Sequence, residues 1–219
     1  LIAGNTVVWK PSEDTPAVSA AFVKVFADAG LPSGVLNLVT GAGETGAALV
    51  NHRDVRVISF TGSTDTGIKV YSQAAGLGKK VALEMGGKNA IIVLDDANLD
   101  LAVEAVTWSA YGTTGQRCTA TSRAVVMKNV AARYRELVVE KTRALKVGNG
   151  LEPGVNVGPV VDEKQLATVL RYIEIGKQEA TLLQGGERLS GALSSGLFVA
   201  PTVFSDVRPS HVIFKEEIF

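Results

Sequence analysis

The chain has 219 residues, 22 Lys plus Arg against 22 Asp plus Glu, one cysteine and 46% hydrophobic residues. This length suits one large domain or two small ones with cores of their own. Zero net charge gives no global positive field for nucleic acid or an anionic membrane surface, and no apolar run approaches the roughly 18–20 residues that cross a bilayer. One cysteine excludes an internal disulfide, and without a Cys/His cluster no metal site is expected. We therefore expect a soluble cytoplasmic protein with no nucleic-acid partner.

The first 94 residues alternate strand and helix signals. Strands are predicted at 6–10, 35–40, 55–60, 80–84 and 89–94, and helices after Thr15-Pro16, at 47–51 and at 64–75. The strands are apolar runs, which is typical of strands covered by helices on both faces. This alternation predicts an α/β fold with a doubly wound parallel sheet.

A second unit is expected after a predicted hinge at Gly86-Gly87, so we divide the chain into domains 1–86 and 87–219. Its predicted elements are a helix at 99–111, a polar loop through Cys118, a strand at 124–127, a helix at 131–145, a Gly/Pro loop at 148–159 and a helix at 163–177. The chain starts at Leu1 rather than at a methionine and stops without a polar tail at Phe219. We expect it to be the central piece of a longer protein.

Residues 41–46, GAGETG, match the dinucleotide pattern GxGxxG after a strand and before a helix. The usual pattern also has an acidic residue at the end of the next strand, where it binds the ribose hydroxyls. That position carries Thr61-Gly62-Ser63 here, and the first acidic residue is Asp65. We therefore favour a tight strand-to-helix turn at Gly41 over a pyrophosphate site.

Two other places could hold a nucleotide. Gly62 and Ser63 join a strand end to a helix start, where free N–H groups favour phosphate; Ser63 could equally be a simple N-cap. Lys10 and Glu13 follow another strand end, where an ammonium and a carboxylate could hold ribose hydroxyls. The alternative for this second pair is a solvated ion pair.

The single cysteine and one carboxylate are candidates for chemistry. Cys118 lies among polar residues, GQRCTAT, in a loop that could expose the thiol, although a lone cysteine is usually a buried apolar residue. Arg117 could favour the thiolate if its head group turns toward the sulfur. Glu84 ends a run that predicts a buried strand, where burial would raise the pKa of its carboxyl and suit it to act as a general base. Pairing of Glu84 with Lys79, Lys80 or Lys88 is the alternative.

Together these segments resemble the NAD(P)-dependent aldehyde dehydrogenase superfamily, in its non-acylating branch. Glu84 and Cys118 are 34 positions apart, which fits the interval between base and nucleophile in that family. The resemblance runs from end to end of the chain. The matching segments, in the family's order, are VWKPSE (8–13), FTGST (60–64), LEMGGK (83–88), GQRC (115–118) and KEEIF (215–219).

The resemblance implies a Rossmann-like cofactor domain followed by an α/β catalytic domain, and oxidation of an aldehyde to a carboxylic acid. It implies that Cys118 is the nucleophile, passing through a thiohemiacetal and a thioester, and that Glu84 activates the hydrolytic water. It further implies a set of NAD contacts at Lys10, Glu13, Gly41, Gly62, Ser63, Glu217 and Phe219. Glu13 near the ribose 2′ position should repel a 2′-phosphate, which favours NAD over NADP.

The family also has an oxyanion-binding asparagine upstream of the region that this chain matches, and no residue here corresponds to it. Loss of one such donor costs about 10²–10³ in rate, so we expect the chain alone to be poorly active. We expect a homo-oligomer for the complete protein. The alternatives are an acylating, coenzyme A-dependent enzyme, which would not need Glu84, and a nucleotide-binding protein without catalysis. The sequence does not identify the aldehyde; Trp108 and Tyr111 could line its pocket or belong to the core.

Overall fold

The computed structural model describes all 219 residues and alternates strands with helices. Its strands are β1 (Val7–Trp9), β2 (Leu36–Leu38), β3 (Val57–Gly62), β4 (Lys80–Met85), β5 (Asn89–Val93), β6 (Thr121–Val126), β7 (Thr181–Gln184) and β8 (Val203–Ser205). Its helices are α1 (Pro16–Asp28), α2 (Gly43–Asn51), α3 (Thr64–Gly76), α4 (Leu99–Tyr111), α5 (Lys128–Arg143), α6 (Glu163–Glu179) and α7 (Val212–Lys215). The predicted α/β class with parallel strands is confirmed.

Three parallel strand pairs form the framework. β1 pairs with β2, β3 with β4 and β5 with β6. A parallel pair needs a crossover connection, and α1, α3 and α4 supply one for each pair. The carboxyl ends of both strands of a pair therefore meet at one edge. Loops that follow paired strands are brought together there.

The chain forms two compact units, Leu1–Met85 and Gly86–Phe219. The first contains the first two strand pairs, and the second contains the β5–β6 pair and an antiparallel β7–β8 pair. The second unit has two clusters of buried apolar residues. One centres on Val93, Val103, Val106, Tyr134 and Val138, and the other on Val160, Leu166, Ile173 and Val199.

Some details differ from the sequence prediction. The strands are not covered on both faces: β3 and β4 alternate between exposed and half-buried positions. Val57 is 62% exposed and Ile92 is 69% exposed. α5 begins and ends a little earlier than predicted, and the β7–β8 pair was not predicted at all. None of the seven helices combines the length and apolarity that a membrane crossing requires.

Candidate functional site

The first candidate group lies where β1 and β2 end. Lys10 follows β1, and its Nζ donates a hydrogen bond of 2.9 Å to the carbonyl oxygen of Gly41, which follows β2. The same Nζ lies 3.9 Å from Glu13 Oε2. The parallel pairing of β1 and β2 thus brings three predicted residues together. The Lys10 ammonium can donate to one hydroxyl of a ribose, and the exposed Glu13 carboxylate can accept from the other.

The turn at Gly41 is tight. Gly41 has a φ of +144°, and a Cβ there would lie 2.0 Å from Thr45 Oγ1 in the first turn of α2. A side chain at Gly41 would therefore collide with the helix that follows. This is the geometry of a close strand-to-helix connection.

The second candidate group is the start of α3. Ser63 is its N-cap, and Ser63 Oγ accepts a hydrogen bond of 3.3 Å from the Thr66 N–H. The N–H groups of Thr64 and Asp65 have no acceptor in the structure. Free N–H groups at a helix start suit a phosphate, while the Asp65 carboxylate in the same turn opposes one. Gly62 is constrained because a Cβ there would lie 2.6 Å from the Phe60 ring.

Glu84 lies on β4, opposite Thr61 of β3. Its side chain is exposed, so the prediction that it ends a buried strand was wrong. The physical reason is the alternation of the β3–β4 pair, which leaves every second side chain of β4 in solvent. Lys79 does not pair with Glu84, because Lys79 Nζ donates to the carbonyl oxygens of Val50 and His52 at 2.5 and 2.7 Å.

Cys118 is a free and exposed thiol. It follows a short 3-10 turn, Gly112–Gly115, in which Thr113 and Thr114 have φ values of +51° and +61°. Non-glycine residues in this left-handed region cost about 1–3 kcal/mol each and persist only when their surroundings fix them. The loop that presents the thiol is therefore held in a strained conformation.

Contacts from distant segments hold this loop. Gln116 Oε1 accepts a hydrogen bond of 3.1 Å from the Val161 N–H, and Thr114 Oγ1 donates one of 3.2 Å to the Pro159 carbonyl. From β5, Asn89 Nδ2 donates to the carbonyl oxygens of Cys118 and Ala120. The sequence analysis did not single out Asn89; its position at the start of a strand, directly after Gly-Gly-Lys, was the available signal.

Arg117 does not turn toward the thiol. Its Nη2 donates to the carbonyl oxygens of Ser109 and Trp108 at 3.1 and 3.4 Å. Its guanidinium lies 4.4 Å from the centre of the Trp108 ring. Carbonyls at the end of α4 and the aromatic face thus hold the cation that could have favoured the thiolate.

Trp108 is 67% exposed, so it does not belong to the core, whereas the hydroxyl of half-buried Tyr111 donates to the Thr202 carbonyl.

The third candidate group is the segment at 216–219. Glu217 Oε1 accepts a hydrogen bond of 3.2 Å from the Gly87 N–H. From α6, Tyr172 Oη donates to Glu216 Oε2 at 2.6 Å, and Gln165 Nε2 donates to the Phe219 carbonyl at 2.8 Å. The side chain of Phe219 is exposed. α6 therefore holds the segment that carries Glu217 and Phe219.

A cavity of about 560 Å³ lies in the second unit, and its wall is mainly apolar. Lys88, Arg117, Glu217 and Phe219 contribute polar or aromatic groups to it, and Cys118 does not line it. Burial, and then the nearby Arg123 guanidinium, lower the pKa of Lys88 to about 8. The carboxylates of Glu217 and Glu216 oppose that fall.

Comparison with known proteins covers the whole chain. The model of the aldehyde dehydrogenase family matches residues 1–219. The chain is 46% identical over 226 residues to a 1-pyrroline-5-carboxylate dehydrogenase of Geobacillus kaustophilus, covering all of this chain and 43% of that protein. It is 46% identical to an alpha-ketoglutaric semialdehyde dehydrogenase of Bacillus subtilis, covering all of this chain and 46% of that protein.

Among solved structures, betaine aldehyde dehydrogenase of Staphylococcus aureus in complex with NAD+ superposes with a TM-score of 0.93 at 34% identity. This match covers 97% of the present chain and 43% of that structure. The chain thus spans less than half the length of the proteins that it matches.

Proposed function

This chain belongs to the aldehyde dehydrogenase family, and we propose that it is the part of an NAD-dependent enzyme that oxidises an aldehyde to a carboxylic acid. One observation carries the proposal: the only cysteine of a chain matched from end to end by this family is an exposed, free thiol in an anchored loop. A buried structural cysteine would be inert. This one is accessible to a substrate.

The chemistry that follows from such a thiol is nucleophilic catalysis. The thiolate of Cys118 attacks the aldehyde carbon: a C–S bond forms, the C=O π bond breaks, and the carbonyl oxygen becomes the oxyanion of a thiohemiacetal. As the oxyanion re-forms the C=O bond, hydride leaves this carbon, which a bound nicotinamide would accept, and a thioester would remain on Cys118. Glu84 takes a proton from water, which attacks the thioester, releases the acid and restores the thiol.

The fit to the cofactor is supported in each unit separately. In the first unit, the Lys10–Glu13 pair offers a donor and an acceptor for ribose hydroxyls, and α3 offers two free N–H groups beside Ser63 for a phosphate. In the second, Glu217 is held by the Gly87 N–H, and we assign it to the nicotinamide ribose. Gly41 and Gly62 keep the backbone close to these groups. Phe219 is assigned to the nicotinamide ring.

We propose NAD rather than NADP as the cofactor. Glu13 is exposed at the place assigned to the ribose, and its charge would repel a 2′-phosphate. Lys10 weakens this repulsion because its ammonium is 3.9 Å away. Comparison of kcat/KM for the two cofactors tests the assignment, and a higher value with NADP would overturn it.

The test of the chemistry uses the complete enzyme. Cys118→Ser should abolish aldehyde oxidation and leave NAD binding intact, because the serine hydroxyl is a far weaker nucleophile at neutral pH. Glu84→Gln should still form the thioester and stall before hydrolysis, giving one burst of reduced cofactor per site. Steady turnover by Cys118→Ser would remove that residue from the mechanism. The chain alone should be poorly active, and robust oxidation by residues 1–219 would contradict this.

Two alternative functions remain to be distinguished by product and by activity. An acylating enzyme would pass the thioester to coenzyme A, so its product would be an acyl-CoA rather than an acid. A nucleotide-binding protein without catalysis would bind NAD and leave all aldehydes unchanged. The presence of both Cys118 and Glu84 favours the non-acylating enzyme.

We propose carboxylated semialdehydes as the first substrates to test. The chain is similar to a 1-pyrroline-5-carboxylate dehydrogenase and to an alpha-ketoglutaric semialdehyde dehydrogenase. We propose a cytoplasmic location, where the single unpaired thiol of Cys118 would stay reduced. We further propose that the complete enzyme is a homo-oligomer.

A further inference from the structure

The backbone around Cys118 is fixed by one side chain from another element. Asn89 Nδ2 donates to the Cys118 carbonyl at 2.6 Å and to the Ala120 carbonyl at 3.1 Å. A third bond, from the Ala120 N–H to the Arg117 carbonyl at 2.9 Å, closes the turn. Three carbonyl oxygens of the turn, those of Arg117, Cys118 and Ala120, are thereby occupied, and two of them depend on Asn89.

The N–H of Cys118 is free by contrast, since it donates to no acceptor in the structure. A peptide unit is planar, so the bond to the Arg117 carbonyl also sets the direction of this N–H. A fixed N–H beside a nucleophile is the kind of donor that stabilises a developing oxyanion. Such an N–H stabilises the oxyanion strongly only if it already points in the right direction before the reaction begins.

We propose that Asn89 is a positioning residue: its side-chain amide holds the carbonyls on both sides of Thr119 and so fixes the thiol and the free N–H of Cys118. The Gln116 and Thr114 contacts anchor the opposite side of the loop. The consequence for turnover rests on the function proposed above, whereas the consequence for loop order does not.

The direct test uses the 219-residue chain, in which a nitroxide label can attach only to Cys118. Asn89→Leu keeps the approximate size of the side chain and removes both donated bonds, and Asn89→Ser keeps one short donor. The wild-type label should show a broad, slow-motion electron paramagnetic resonance spectrum. We expect Asn89→Leu to lose that component and Asn89→Ser to lose part of it, since loops released from their contacts move on nanosecond timescales.

The first unit offers a matched control. Asn37 Nδ2 also donates to two carbonyl oxygens, those of Gly34 and Val7 at 2.8 and 3.3 Å. Asn37→Leu also removes two side-chain hydrogen bonds to carbonyl oxygens, at a position far from Cys118 in the sequence. It should leave the spectrum of the label unchanged. Urea unfolding of each variant establishes that it is folded. Wild-type spectra for both folded Asn89 variants, or an equal change in Asn37→Leu, would overturn the proposal.

In the complete enzyme, Asn89→Leu should lower kcat about 10–100-fold, because a misplaced reacting group loses this much rate. KM for NAD should stay within about twofold, since only positioning of the thiol is altered. A general structural defect would change both parameters. A mobile label with normal kcat would refute the catalytic consequence alone, whereas turnover without Cys118 would refute the proposed function.

Discussion

Replacement of Lys88 by methionine should make the protein more stable at neutral pH. Lys88 is half-buried beside Arg123, which donates a hydrogen bond to the Lys88 carbonyl. Burial and then the Arg123 charge lower its pKa from 10.5 to about 8. The folded state therefore disfavours the charged Lys88 ammonium. Removal of that charge should raise the free energy of unfolding.

The magnitude follows from the two pKa values. At about 1.4 kcal/mol per pH unit, the fall from 10.5 to about 8 corresponds to about 3 kcal/mol. Lys88 is only half-buried, so solvent screening reduces this cost to about 1–2 kcal/mol. Below pH 8 the lysine is charged in both the folded and unfolded states, and the full cost applies. Between pH 8 and 10.5 only the unfolded state stays protonated, so the cost declines as pH rises.

Urea unfolding between pH 7 and 10.5 measures this effect as the difference between Lys88→Met and wild type. The variant should have a free energy of unfolding higher by about 1–2 kcal/mol at pH 7, with an advantage that shrinks above pH 8. Lys141→Met, which removes an exposed lysine of α5, is the matched control and should change stability little. The reasoning fails if the two variants are equally stable at pH 7, or if the advantage of Lys88→Met persists unchanged to pH 10.5.

Two further predictions concern the segments that hold the site, and both are measured by urea unfolding at pH 7. Gly115→Ala should destabilise the protein by about 2 kcal/mol or more, because the position combines a φ of +72° with a Cβ only 2.6 Å from the Ala110 carbonyl oxygen. Gly154→Ala is the control, because Gly154 has a φ of +79° and open space around it, and it should lower the free energy of unfolding by less. Equal losses for the two variants would show that the contact with the Ala110 carbonyl does not matter. Tyr172→Phe should cost about 1 kcal/mol through loss of the bond to Glu216, and an unchanged stability would show that the bond contributes nothing.

Much of the element order could be read from local patterns. α4 was predicted at 99–111 and lies at Leu99–Tyr111, because Asn98 caps it and an apolar stripe fills it. The β7–β8 pair was missed because its strands are only four and three residues long and pair across a long separation in the chain. Short strands with distant partners leave little local periodicity to detect.

The sequence predicted which residues form the candidate site, but not how their side chains are oriented. The sequence placed both Lys10 and Gly41 after strands, but their contact was not predicted, and the parallel pairing of β1 with β2 explains it. The direction of Arg117 depends on the rotamer of a long side chain and on the Trp108 ring, which no local pattern specifies. The contact of Asn89 with Cys118 joins residues 29 positions apart, and only the fold reveals it.

The open faces of the strand pairs have a practical consequence for work with these 219 residues. Val57 on β3, Ile92 on β5 and Val125 on β6 present aliphatic side chains to solvent, and two-stranded sheets have unpaired edges beside them. Such surfaces promote association between chains in concentrated solution. Spectroscopy on the isolated polypeptide is therefore best done dilute and with its sedimentation monitored, so that self-association is not mistaken for restricted motion of a label.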